Sequence, residues 1–259
     1  MPLVLSSIPV LGITIQTFGI FFALNFLAWG LLVGRRLREL GRPPDWAYEM
    51  VFVALGGGLV GARLYYVVEN YQEVKGDLLG HLFSGAGLVW YGGVLGGAVT
   101  MVVWARWRRF LGLDLVDLAG PGLALGYAIG RIGCQVSGDG DYGKPSHLPW
   151  AMGYPHGTLP TPPGVRVQPT PIYETLVMGL VAWGLWRLRD RVRPGVLFAL
   201  YLVLAGIERL LVEFVRRNAH VLAGLTGPQL ESIFSIALGA LGLALLVRRG
   251  GVRRALAPA

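Results

Sequence analysis

Apolar residues in this chain come in blocks rather than stripes. Seven blocks, approximately Ile15–Val33, Trp46–Val68, Gly87–Ala105, Leu115–Ile132, Ile172–Trp186, Gly195–Glu213 and Gln229–Val247, stay apolar all round the helical turn. A helix needs about 20 such residues to cross the hydrocarbon core of a bilayer. The pattern therefore predicts an all-α polytopic membrane protein with seven transmembrane helices, the fifth starting earlier or tilting because its block is short. Between blocks the chain is polar and mostly brief. The exception is Ser137 to Pro171, too polar to cross a bilayer and too rich in proline for one helix. Its Tyr142, Trp150 and Tyr154 predict an ordered cap at the membrane interface, over about residues 137–171. Glu69 to Ser84 predicts a few helical turns, and His220 to Pro228 a further loop. With no internal repeat in view, the whole of residues 1–259 reads as one membrane-embedded domain.

Arginine sets the expected orientation. Arg35, Arg36, Arg38 and Arg42 follow the first block, Arg106, Arg108 and Arg109 the third, and Arg187, Arg189, Arg191 and Arg193 the fifth. Arg248, Arg249, Arg253 and Arg254 follow the seventh. In a seven-span chain all of these fall on one side, which the positive-inside rule makes cytosolic. The N-terminus is then outside, the C-terminus cytosolic and the cap on the outer face. Lys75, Lys144 and Arg166 sit in outer loops without needing explanation. Arg63, Arg131, Arg209, Arg216 and Arg217 lie within or at the outer ends of blocks, where a charge needs a functional reason.

Composition narrows the class. At 259 residues, 54% hydrophobic and 15% charged, with mean hydropathy +0.55, the chain is too apolar and too poor in charge for a soluble enzyme. The net charge of +8 comes from basic clusters between apolar blocks, which is a topology signal and argues against nucleic acid. The single cysteine, Cys134, excludes an intrachain disulfide and a cysteine-rich metal site. No basic stretch or small-residue cleavage site follows Met1, so no cleavable signal peptide is expected.

The chemistry concentrates around Arg131. The segment Gly130-Arg-Ile-Gly-Cys-Gln-Val-Ser-Gly-Asp-Gly-Asp-Tyr-Gly143 places that arginine among glycines where an apolar block meets water. Each glycine costs a helix about 1 kcal/mol against alanine, but glycine lets an anion approach a guanidinium. Gly56-Gly57-Gly58 with Gly61, and Gly92-Gly93 with Gly96-Gly97, suit close packing of the second and third blocks. They also suit helices that part to form a cavity. Arg209 and Glu213, four apart, share one helix face. Glu208, Arg216 and Arg217 add more charge than one structural pair requires, so Arg63, Arg131, Arg209, Arg216 and Arg217 are expected to form a positive pocket near the outer leaflet. Arginine rather than lysine at each position suits a bidentate grip on phosphate. Asp139-Gly-Asp141 hints at a calcium loop, but Gly143 and Trp150 stand where further oxygen ligands belong, and no metal is expected.

Five motifs in order carry a resemblance: Gly61-Ala-Arg63, Tyr91-Gly-Gly, Gly130-Arg-Ile-Gly with Gly143, Gln168-Pro-Thr-Pro-Ile-Tyr-Glu174, and Arg209-x-x-x-Glu-Phe-x-Arg216. Together the set resembles the prolipoprotein diacylglyceryl transferase family, bacterial enzymes of the cytoplasmic (inner) membrane. The resemblance implies transfer of an sn-1,2-diacylglyceryl group from phosphatidylglycerol to the lipobox cysteine thiol of a preprolipoprotein, with glycerol phosphate released. It implies a multi-pass protein among membrane lipids, a site toward the outer face and no cofactor. It assigns Arg131 and Arg209 to the phosphate and Gly143 to the close of the signature loop. Arg63, Tyr173, Glu174 and Arg216 fall around the lipid, and Glu213 beside Arg209. The chain departs from the family at Tyr91 and Gln168, where the family has histidine, and at Cys134, where it has asparagine. In the signature loop Asp139 or Asp141 replaces a glutamate. Tyr91 with Asp139 or Asp141 is then the candidate set for handling the proton. A divergent member with another acceptor, or an anion or lipid transporter, is the alternative.

Overall fold

The computed structural model describes residues 7–10, 13–76 and 89–252; His81, Arg253, Arg254 and the start of the third apolar block lie outside them. A hairpin of β1 (Ser7–Val10) and β2 (Ile13–Gln16) leads into α1 (Thr17–Glu39). Then come α2 (Trp46–Glu69), the single turn α3 (Tyr71–Val74), α4 (Trp90–Trp107), α5 (Leu113–Ser137), α6 (Thr170–Leu188) and α7 (Val196–Glu213). A second hairpin, β3 (His220–Leu222) and β4 (Leu225–Thr226), precedes α8 (Gly227–Arg248). A long helix thus stands over each of the seven apolar blocks, and α1, α2, α5 and α8 are long and apolar enough to cross a membrane. α7 is shorter and carries Glu208, Arg209 and Glu213.

Two hairpins stand where the sequence suggested none. In the second, Ala223 and Gly224 both take left-handed backbone, with φ of 50° and 74°. That geometry closes a two-residue turn between antiparallel strands. The helices also overrun their blocks, so that Arg35, Arg36 and Arg38 ride on the last turns of α1, where positive charge meets the negative end of the helix dipole.

The chain divides into two compact units: Met1–Trp29 with Val116–Ala259, and Gly30–Leu115. In the second unit, α2 and α4 pack glycine against glycine. A Cβ on Gly61 would sit 2.3 Å from the Gly92 oxygen, and one on Gly96 2.2 Å from the Gly57 oxygen. At Gly57 the same gap admits Thr100, whose hydroxyl donates to the Val53 carbonyl at 3.0 Å. Both helices run unbroken, so the packing reading of these glycines is the one realised. Trp104 of α4 and Arg108 at its C-cap donate to the Glu49 carboxylate of α2, the indole at 2.8 Å, and Trp46 meets Trp104 edge to face.

In the first unit, α5 presents Gly122, Gly126 and Gly133 to Trp29, Asn25 and Phe21 of α1. The glycine on the C-terminal side of Arg131 therefore serves helix packing, while Gly130, alone among the glycines of α5, borders open space. Ala124, Ala128, Met178, Ala182, Leu185 and Leu197 form the core shared by α5, α6 and α7. α7 begins at Gly195, with φ 94°, and its first amides are capped from another helix: Gly195 N and Phe198 N donate to Asp117 of α5 at 2.8 and 2.9 Å. These are the orphan donors of a helix N-terminus, and their capture registers α7 against α5.

Burial is inverted relative to a soluble protein. Leu27, Leu31, Leu180, Trp183, Phe234 and Leu241 are exposed, whereas Glu174, Glu213 and Arg216 are buried. Apolar side chains outward and charges inward is the arrangement that lipid selects.

Candidate active site

The charges inside the first unit converge on one carboxylate. Glu174, in the first turns of α6, is fully buried. Its oxygens receive Arg131 Nε of α5 at 3.2 Å, Arg209 Nη1 of α7 at 3.4 Å and Arg216 Nη1 at 3.3 Å. The Tyr127 hydroxyl, one turn before Arg131, donates to Glu174 Oε1 at 2.8 Å. The Arg131 guanidinium lies 4.9 Å from the Tyr127 ring centre. A lone buried carboxylate would cost many kcal/mol in a medium of low dielectric constant, and at Glu174 these partners offset that cost.

Two further carboxylates complete the network. Asp141 bridges Arg131 and Arg216, one oxygen to each. Glu213 takes Arg209 Nη2 at 3.2 Å, as the spacing of four on α7 predicts. Its other oxygen accepts from Asn218 Nδ2 and Thr226 Oγ1, both at 2.7 Å. Thr226 is at the same time the N-cap of α8, closed by a capping box with Gln229. The second hairpin thereby ties the start of α8 to the arginine cluster.

The expected positive pocket is corrected in one respect. Arg131, Arg209 and Arg216 do meet, but they are matched by Asp141, Glu174 and Glu213, because charges this deep must be paired. An anion entering here competes with carboxylates for guanidinium edges. Arg63 and Tyr91 belong to the second unit. There Arg63 is buried with its guanidinium 5.4 Å from the Tyr66 ring centre, and the half-exposed Tyr91 ring lies 6.5 Å from that of Tyr65.

The segment between α5 and α6 is ordered, as expected, with a small core of Tyr142, Tyr154 and Val167. The Tyr142 and Tyr154 rings stack at 4.8 Å, and their hydroxyls donate to the Leu159 carbonyl and Gln135 Oε1. Gly143 is threaded so tightly that a Cβ would sit 2.6 Å from the Val215 oxygen. Its amide donates to the Gln168 carbonyl at 2.8 Å, and the Lys144 amide donates to Val215 at 2.8 Å. Only glycine lets the loop pass here, which brings Asp141 to the arginines. Tyr173 meets this segment, its hydroxyl accepting from Trp150 Nε1 at 2.6 Å.

Asp139 and Asp141 differ in electrostatics. Burial alone would push Asp141 up, but Arg131 and Arg216 outweigh it and hold its carboxyl below the ordinary range. Burial pushes Asp139 up, against the thiol of Cys134 and the Asp141 amide that bond it. Cys134, Asp139 and Asp141 bring their donor atoms within 4.8 Å of one another, a spacing compatible with a metal ion. Each Asp141 oxygen already takes a guanidinium, so a cation here would compete with Arg131 and Arg216 for it.

An open polar cleft of about 360 Å³ adjoins the cluster, lined by Gly140, Asp141, Tyr142, Arg216, Arg217 and Asn218. The Arg217 guanidinium lies over the Tyr142 ring at 4.6 Å. Tyr127 and the Asn218–Thr226 pair escaped the sequence reading. Tyr127 was accessible from its spacing of four before Arg131; the other two carry no local signal, because a hairpin brings them in.

Residues 5–246 match the family model described as prolipoprotein diacylglyceryl transferase. Three proteins called phosphatidylglycerol–prolipoprotein diacylglyceryl transferase are similar over most of their length. The one from Clostridium tetani is 31% identical over 232 residues, 88% of this chain and 92% of its own. That from Leptospira interrogans is 31% identical over 245 residues, covering 84% and 76%. That from Gloeobacter violaceus is 30% identical over 254 residues, covering 94% and 93%.

Proposed function

The chain belongs to the prolipoprotein diacylglyceryl transferase family, and on that premise we propose how its buried arginines carry out the transfer. The protein is a multi-pass membrane transferase that moves a diacylglyceryl group from phosphatidylglycerol to a prolipoprotein. The acceptor is the lipobox cysteine thiol, and glycerol phosphate leaves. The observation that carries the mechanism is the meeting of Arg131 of α5 with Arg209 and Arg216, on α7 and just beyond its end, over the buried Glu174.

The thiolate sulfur attacks the glyceryl carbon, and the carbon–oxygen bond to phosphate breaks with its electron pair left on the phosphate. Charge grows on that oxygen as the bond lengthens. Guanidiniums already oriented by Glu174, Asp141 and Glu213 stabilise it without reorganisation. Arg131 and Arg209 hold the phosphate. Glu213, fixed by Asn218 and Thr226, sets the angle of Arg209. Arg216 shares Asp141 and Glu174 with Arg131, so an anion drawing Arg131 away leaves both carboxylates still paired.

Seven spans, N-terminus outside and C-terminus in the cytosol, fit the arginine distribution along the chain. The 137–171 segment then caps the outer face of the inner membrane. Purified protein in phosphatidylglycerol vesicles with a lipobox peptide tests the reading. The peptide is expected to gain the mass of one diacylglyceryl group with equimolar release of glycerol phosphate; movement of lipid between vesicles with no covalent product contradicts it.

A further inference from the structure

Among the described residues, every carboxylate that faces the arginine cluster is spoken for except one. Asp141 is divided between Arg131 and Arg216; Glu174 is held by three arginines and Tyr127; Glu213 is held by Arg209, Asn218 and Thr226. Glu208, on α7 beside Arg209, is 7% exposed and has no hydrogen bond or ion pair among the described residues. The charged and titratable groups within electrostatic reach of it are Tyr127 and Arg131 of α5, Glu174 of α6, and Arg209 and Arg216. A carboxylate buried without a donor is expensive, and a hydrophobic residue of its size would serve packing better. Its lone pairs remain open to a proton, at the edge of the cluster that handles the phosphate.

The reaction needs such an acceptor. The histidines of the described residues, His147, His156 and His220, all lie outside the long helices. A free thiol, with a reference pKa of about 8.5, is mostly protonated at neutral pH. We propose that Glu208 is the general base that takes the proton of the acceptor thiol, an inference that rests on the transferase reading above. The S–H bond breaks and its proton passes to a Glu208 oxygen. The freed pair forms the sulfur–carbon bond, the carbon–oxygen bond to phosphate breaks, and the glycerol phosphate leaves as an anion. The proton then departs from Glu208 to the leaving phosphate or to water, restoring the carboxylate.

The test compares Glu208→Gln with wild type, using two lipobox peptides in phosphatidylglycerol vesicles under reducing conditions. One peptide carries cysteine; the other carries selenocysteine, whose selenol is already ionised at neutral pH. Glu208→Gln is expected to lower kcat for the cysteine peptide by about 10²-fold or more, the usual range for a general base. With the selenocysteine peptide it should stay within a few-fold of wild type, and the KM for phosphatidylglycerol should be unchanged in both. The cysteine deficit should also shrink as pH rises toward the thiol's own range. Equal losses with both peptides, or no loss with either, overturn the assignment while leaving the transferase reading intact. Absence of product from the wild-type protein removes both. The thermal unfolding midpoint of Glu208→Gln, expected at or above that of wild type, and the more conservative Glu208→Asp separate lost chemistry from lost folding.

Discussion

Glu174 is the residue on which the arginine cluster is built, and its removal should be felt in stability as well as in rate. Glu174→Gln keeps the shape but leaves three guanidiniums facing a neutral amide. Breaking a buried ionic group from one side costs about 3–5 kcal/mol, and thermal or denaturant unfolding in detergent should show a loss of that order alongside loss of transfer. The two loop aspartates should respond to pH in opposite senses. Asp141 is depressed in the folded protein, so it adds stability above the unfolded carboxyl value near 3.9 and loses it as pH falls through its folded value. Asp141→Asn should therefore be destabilising at neutral pH, by a margin that narrows on acidification. Asp139 is raised by burial, so its charge opposes folding at neutral pH. Asp139→Asn should stabilise there, with the gain vanishing below about pH 4; unfolding midpoints measured across pH 3–8 check both signs.

Among elements, the glycines of α2 separate into two kinds that sequence could not tell apart. Gly61 faces the Gly92 carbonyl at a distance no Cβ can occupy, whereas Gly56 borders open space. Gly61→Ala should push α4 away and destabilise by about 1–3 kcal/mol, as overpacking does. Gly56→Ala should be neutral or gain up to about 1 kcal/mol from helix propensity, which paired unfolding curves would resolve. Spacing showed that these helices were glycine-rich but not which face met a neighbour. Similarly, the Arg209–Glu213 pair was legible because both sit four apart on one helix. The Asp117 cap on α7 was not, because 78 residues separate it from Gly195. The two short hairpins hid for another reason: neither is long enough to alternate, and Ala223-Gly224 lacks the Asn-Gly or Asp-Gly signal of a tight turn.

At the scale of the molecule, the apolar blocks announced the helices, and motif order announced the family. What order could not convey was charge balance: five arginines read along a line suggested a positive pocket, while folding supplied three carboxylates to match three of them. The proposed topology rests on the arginine-rich segments. Reporter domains fused after Arg42, after Arg109, after Arg193 or at the C-terminus should report cytosolic exposure, and one inserted near His156 an external one. The central claim is that the guanidiniums over Glu174 stabilise the departing phosphate. Its most direct measurement is the kcat for lipidation of a lipobox peptide by Arg131→Ala, Arg209→Ala and Arg166→Ala, with folding and membrane insertion confirmed for each. The first two are expected to lose about 10²–10³-fold or more, while Arg166→Ala, at an exposed position between α5 and α6, keeps the wild-type rate. Turnover by Arg131→Ala and Arg209→Ala within a few-fold of wild type would contradict it.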